Sequence, residues 1–239
     1  MRMNYNYLKL IVLLLVITGL YAFSNHRSSG KTVSGMEVEF EGDDNLYITQ
    51  GAVNKLLIQK FGSLENVPKE KLVLNTMEKV LEANKMVKSA QVYLTVNGQL
   101  ASKIVQRKPI GRIEGDSQFY LDDQGERMPL STSHSARVPI ITGVISGESL
   151  ADVYEILNYI NKDDFLRKNV IGIHIASETK YQIKFRTEQF VVVLGEVEDL
   201  NKKFGNFKAF YVKAKKDKAL GAYSMVSLEF NNQVVCTKI

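Results

Sequence analysis

Cysteine is nearly absent from this chain. Cys236 stands alone among 239 residues, so no intrachain disulfide can form and stability has to come from packing. Histidine is almost as scarce, with His26, His134 and His174, and neither an H-E-x-x-H pair nor paired cysteines occur. His174 and Glu178 straddle a strand end, where a four-residue spacing does not bring side chains together as it does on a helix. A metal site is therefore not indicated. No glycine-rich phosphate loop is present, and Gly143-Val144-Ile145-Ser146-Gly147 has the order G-x-x-S-G rather than the G-x-S-x-G of a nucleophile elbow, which makes it a loop ahead of a helix. The adjacent carboxylates Asp122-Asp123 and Asp163-Asp164 fall at turns, where hydrogen bonds to nearby backbone are their ordinary role. With so few convergent groups the chain reads as non-enzymatic, with no cofactor and no metal. The lack of any N-x-S/T acceptor favours a bacterial setting.

What is present matches ordinary globular averages, with 45% hydrophobic and 24% charged residues, so most of the chain buries a core. About two hundred residues outside the N-terminal apolar segment suit one large or two small domains. The net charge of +5 is spread along the chain, and no aromatic-rich motif accompanies it, so nucleic acid is not an expected partner. The cluster Lys213 to Lys218 breaks the preceding helical pattern and reads as a solvated helix end, with an acidic partner or lipid headgroups as the alternative. Cys236, in an apolar-flanked strand, reads as a small packed hydrophobe.

Leu8 to Phe23 (LKLIVLLLVITGLYAF) is interrupted only by Lys9, which lies close enough to the end to snorkel. Sixteen helical residues reach about 24 Å, and adding Tyr5 and Tyr7 extends the run toward a hydrocarbon core of ~30 Å with aromatic anchors at both ends. The competing reading is a cleaved secretory leader. Tyr21-Ala22-Phe23-Ser24 places a large aromatic where cleavage wants a small residue, which favours a retained anchor. Charges on the two flanks nearly balance, so orientation follows from the large C-terminal cargo rather than from charge.

After a Ser- and Gly-rich stretch at 24–35, Met36 to Phe40 alternates apolar and acidic residues as a half-buried strand does. Thr49 is placed to cap a helix carrying Val53, Leu56, Leu57 and Phe61, with Gly62 as its stop. Pro68 opens a second helix with Leu72, Val73, Met77, Val80 and Leu81 inside. Ala90 to Val96 and Gln99 to Gln106 flank Asn97-Gly98, a strong hairpin signal. The order is β-α-α-β-β. Farther on, Phe119 to Leu121 leads into an Asp and Gly turn, and Val138 to Gly143 is apolar. A helix spans about Ser149 to Asn161, and strands follow at Val170 to Ala176, Lys180 to Arg186 and Phe190 to Leu194. A last helix covers about Glu198 to Val212, and Tyr223 to Leu228 with Gln233 to Lys238 closes the chain as one long or broken strand.

A β-α-α-β-β unit directly after a membrane anchor resembles a POTRA domain. Gln106-Arg107-Lys108-Pro109 with Gly111 resembles the E-R-x-P-x-A junction of the bacterial cell-division FtsQ/DivIB family, with Gln for Glu and Gly for Ala. Phe119 to Gly125 resembles that family's next hairpin, and Val138-Pro139-Ile140-Ile141-Thr142-Gly143 its V-P-x-x-x-G strand. Val226-Ser227-Leu228-Glu229-Phe230 resembles its terminal V-D-L-R-F strand, with Ser227 and Glu229 departing from the usual Asp and Arg.

The expected fold is α+β. It comprises a cytoplasmic tail at 1–7, a transmembrane helix at 8–23, a linker at 24–35, a POTRA-like domain at 36–110 and a mixed α/β domain with a largely antiparallel sheet at 111–239. A terminal strand commonly lies at a sheet edge and offers unpaired backbone groups to a partner strand, the alternative being that it is paired on both sides. The resemblance implies a non-enzymatic divisome scaffold in the cytoplasmic membrane, N-terminus inside, C-terminal domains periplasmic, enriched at the septum. It further implies FtsB/FtsL-type coiled-coil partners at the C-terminal sheet edge and other divisome membrane proteins at the POTRA-like domain. Leu228, Phe230, Asn232, Val234 and Lys180 are the expected partner-binding residues. A secreted envelope hydrolase released by signal cleavage and a POTRA-bearing export component are the competing functions.

Overall fold

The computed structural model describes residues 5–29, 32–42, 45–230 and 233–239, with 5–6 and 24–29 by their backbone alone. The chain divides into two compact units, Met1–Gln106 and Arg107–Ile239.

The first unit begins with α1 (Tyr5–Ser29), so helix continues through the first half of the stretch expected to be a linker. Its side chains from Tyr7 to Phe23 are exposed on every side. Among the described residues no helix is long and apolar enough to cross a membrane; the run Tyr7 to Phe23 covers about 25 Å at ~1.5 Å per residue, short of the ~30 Å core.

β1 (Gly35–Glu41), α2 (Gln50–Phe61), α3 (Leu74–Glu82), β2 (Val87–Leu94) and β3 (Gln99–Gln106) then form the β-α-α-β-β unit. The Thr49 hydroxyl accepts from Ala52 N, and Gly62 ends α2 at φ +78°. Pro68 leads into a single 3-10 turn at Lys69–Lys71 rather than into α3. Val73 is consequently exposed, because it precedes the helix whose inner stripe it was expected to join. Gly98, at φ +84°, turns the β2–β3 hairpin. The sheet order is β1-β3-β2, with β1 parallel and β2 antiparallel to β3. Val53, Leu57, Met77, Leu81, Leu100 and Ile104 fill its core. Gln106 closes the unit: its Oε1 accepts from Tyr47 N at 2.9 Å and Ile48 N at 3.2 Å, while its Nε2 donates to Ile48 O at 3.0 Å. A carboxylate there would accept but not donate.

The second unit opens on β4 (Pro109–Glu114), so Pro109 and Ile110 belong to it rather than to the first. There follow β5 (Gln118–Asp122), β6 (Arg127–Met128), β7 (Ile140–Gly143), α4 (Gly147–Lys162), α5 (Asp164–Asn169), β8 (Val170–Ser177), β9 (Lys180–Phe185), β10 (Val191–Gly195), α6 (Leu200–Lys216), β11 (Tyr223–Ser227) and β12 (Val235–Lys238). They build one nine-stranded mixed sheet in the order β12-β11-β10-β9-β8-β7-β4-β5-β6. The joins β10–β11, β4–β7 and β7–β8 are parallel. One face carries the row Ile113, Ile141, Ile173, Ile183, Val192 and Val226 against α4, α5 and α6. At Gly111 an added Cβ would come within 2.5 Å of Leu157 Cδ1 and 2.9 Å of Ile141 Cδ1, both side chains of the packed core.

Ser146 caps α4 and exchanges hydrogen bonds with Ser149, which is the role of the serine in the G-x-x-S-G run. The helix α6 continues past Val212 to Lys216. Lysine is a good helix former, cations suit a helix C-terminus, and Ala214 prolongs the buried stripe of Phe204, Phe207 and Tyr211.

Asp163 caps α5 by accepting from Phe165 N and Leu166 N, each at 3.0 Å, and takes Lys208 Nζ at 2.6 Å. Burial disfavours its charged form, but the Lys208 ammonium and the Leu166 and Phe165 amides outweigh burial and hold its carboxyl below the usual range. A depressed folded pKa contributes stability that is present above the unfolded value of ~3.9 and is lost as pH falls through the folded one. Asp163→Ala is expected to cost about 1–2 kcal/mol at pH 7, mostly through the lost cap. In thermal unfolding the gap to the parent protein should narrow steadily below about pH 4.

Candidate functional site: the C-terminal sheet edge

The residues expected to form one long or broken terminal strand fold as two separate strands. β11 runs parallel to β10, and β12 turns back antiparallel on β11. β11 is thus paired on both sides, and the edge of the sheet is β12. Leu228 N donates to Val193 O at 2.8 Å, and the Leu228 side chain is 2% exposed. It serves the core and does not face an incoming strand at the edge. Phe230 lies beyond β11 and is 51% exposed, beside Asp199, Lys202 and Gln233 in a shallow dent. Val234 packs half-buried on the core. Asn232 lies outside the described residues.

Lys180 opens β9, and its Nζ stands 3.6 Å from Glu229 Oε1. The Ser227 hydroxyl donates to Glu229 Oε2 at 3.2 Å. Glu229 lies across Gly195, whose φ is +70° and where a Cβ would come within 2.7 Å of Glu229 Cγ. The structure therefore brings Lys180 together with Glu229, which sequence reasoning did not single out. Phe230 follows Glu229 directly, at the exit of β11.

Along β12 the side chains alternate. Cys236 falls in the core row opposite Val226, and Val235 falls on the other face opposite Ser227. Burial pushes the Cys236 thiol up from its ordinary range, as expected of a packed hydrophobe rather than a reactive thiol. Ile239 N donates to Ala222 O at 3.1 Å. Alternation of an antiparallel ladder then turns the amides of Val235 and Thr237 toward β11 and those of Cys236 and Lys238 outward. These outward amides are the chemistry that the edge offers.

The sheet face opposite the helices carries a groove of about 480 Å³ lined by Ile140, Thr142, His174, Gln182, Lys184 and Val191. Thr142 Oγ1 and His174 Nδ1 lie 3.1 Å apart there. The paired carboxylates are engaged elsewhere: Asp163 caps α5, and Asp122 meets Arg107 Nη1 at 2.6 Å while its other oxygen accepts from Gln124 N and Glu126 N.

A small two-helix, three-stranded unit followed by a broad mixed sheet defines a two-domain α+β protein whose most accessible chemistry is an open strand edge. A POTRA-like domain model matches residues 33–105, and an FtsQ/DivIB, C-terminal related model matches residues 108–237. The chain belongs to the FtsQ/DivIB family, a family of cell-division scaffold proteins that are generally non-enzymatic. No curated protein matches it.

Proposed function

We propose that the protein is a single-pass membrane scaffold of the bacterial divisome that receives FtsB/FtsL-type coiled-coil partners by strand addition at β12. The observation that carries this reading is that β12 ends the sheet and is paired on one side alone. Backbone hydrogen bonds from Cys236 and Lys238 would supply affinity, and the exposed Val235 and Phe230 would supply selectivity. Lys180 is held by Glu229 in the free protein, so a partner carboxylate would compete for it. In this reading the POTRA-like unit engages other divisome membrane proteins.

The apolar run Leu8 to Phe23 is the anchor, with the N-terminus cytoplasmic and both units periplasmic. Leu10, Leu13, Ile17 and Leu20 are all exposed, and an apolar surface of that extent calls for a non-aqueous cover. A fluorescent tag on the N-terminus is expected to concentrate at midcell and to co-purify with both coiled-coil partners. A diffuse signal, or a mature N-terminus near Asn25 by mass spectrometry, would refute retention at the septum.

A further inference from the structure

The three-stranded sheet of the first unit also ends in an edge, β2, and that edge is covered. Val92 N donates to Glu78 Oε1 at 2.9 Å, and Ala90 N donates to Glu82 Oε1 at 3.3 Å. Both carboxylates come from α3, which lies along β2, while the other side of β2 pairs with β3. The fit is one of repeat lengths. Residues four apart on a helix rise about 6 Å, and residues two apart on a strand about 6.7 Å. Because α3 and β2 run in opposite senses, Glu78 meets Val92 and Glu82 meets Ala90. Ala90 and Val92 are only 6% and 4% exposed, so water is a poor substitute for the carboxylates. At β12, by contrast, no side chain among the described residues takes the outward amides of Cys236 and Lys238.

We propose that Glu78 and Glu82 close β2 to strand addition, and that their removal makes β2 an acceptor for β2 of a second copy. An edge whose free amides sit at Ala90 and Val92 is self-complementary about Gln91: in an antiparallel pair, Ala90 of one copy meets Val92 of the other, and the groups exchanged are the same on both sides. Lys88 would then face Leu94, so no like charges oppose the pairing. The inference is independent of the partner assigned to β12.

The test uses the full chain in detergent micelles with Cys236→Ser, to leave one engineered thiol at Gln91→Cys. Position 91 would face itself across the dyad in a non-hydrogen-bonded pair, at a separation that a disulfide spans. With Glu78 and Glu82 intact, little cross-link forms through the engineered thiol. Glu78→Ala with Glu82→Ala is expected to raise the cross-linked dimer at least about tenfold, whereas Glu78→Gln with Glu82→Gln, which keeps acceptor oxygens, stays monomeric. A folded double-alanine variant that stays monomeric, with the engineered thiol uncoupled, overturns the proposal. Amide exchange of the unaltered protein gives a second criterion that does not depend on how the variants fold. Ala90 and Val92 should exchange at least about tenfold more slowly than exposed loop amides, and exchange at the loop rate also overturns it.

Discussion

Replacing Cys236 by proline is expected to weaken capture of a partner strand about a hundredfold relative to Cys236→Ala, with the fold intact. Proline removes one N–H and places its ring where a neighbouring strand would lie, but it is tolerated at an edge whose N–H faces away from the sheet. Cys236 meets that condition, since the ladder to β11 runs through Val235 and Thr237 and through Ile239 N to Ala222 O. Alanine loses the same thiol and keeps the amide, so the ratio between the two variants isolates the backbone. A lost charge-neutral hydrogen bond accounts for ~1 kcal/mol and the steric block for the remainder of ~2.7 kcal/mol, which corresponds to a hundredfold. Equal affinities for the two variants would move the partner off this edge.

The second large effect concerns the core of the same unit. Asp122→Ala is expected to destabilise the second unit by about 3–5 kcal/mol, the range for removing one member of a buried ion pair. The Asp122 side chain is fully buried; one oxygen meets Arg107 Nη1 at 2.6 Å, and the other accepts from Gln124 N at 2.9 Å and Glu126 N at 2.7 Å. Arg107 belongs to the junction segment and Asp122 to the hairpin turn, so this contact ties the two segments together. Asp122→Asn keeps an acceptor for the two turn amides and should cost distinctly less. The opening free energy of slowly exchanging amides in β5 and β8 measures it without assuming that the two units unfold together. A loss below ~1 kcal/mol for the alanine variant would mean that the pair does not hold the turn.

Local signals carried far into the fold. Thr49 and Gly62 bound α2 because capping is decided within four residues, and Asn97-Gly98 turns the hairpin because only a flexible residue fits φ +84°. The start of α3 was not legible, since Pro68 suits a 3-10 turn as well as an α-helical one. Sheet order was less accessible still. β11 pairs with β10 across the whole of α6, and β4 with β7 across the β5–β6 hairpin, contacts that no window of sequence contains. This is why Leu228 and Phe230, adjacent to each other but for one residue, were assigned one role and have two: one completes the core and the other stays exposed. Phe230 was legible as a motif position, and Lys180 only as the neighbourhood of a basic one. Glu229 showed only as a departure from the motif, and its place beside Lys180 was hidden, because their meeting depends on the bare backbone of Gly195. Glu78 and Glu82 look like solvated helix positions until the strand beside them is known.

Strand addition at β12 can be read from hydrogen exchange at two amides. On adding the soluble segment of an FtsB/FtsL-type coiled-coil partner at saturation, the amides of Cys236 and Lys238 should slow at least about tenfold, with Ala90 and Val92 unchanged. Binding that leaves Cys236 and Lys238 exchanging at their free rates would mean that β12 does not receive the partner strand.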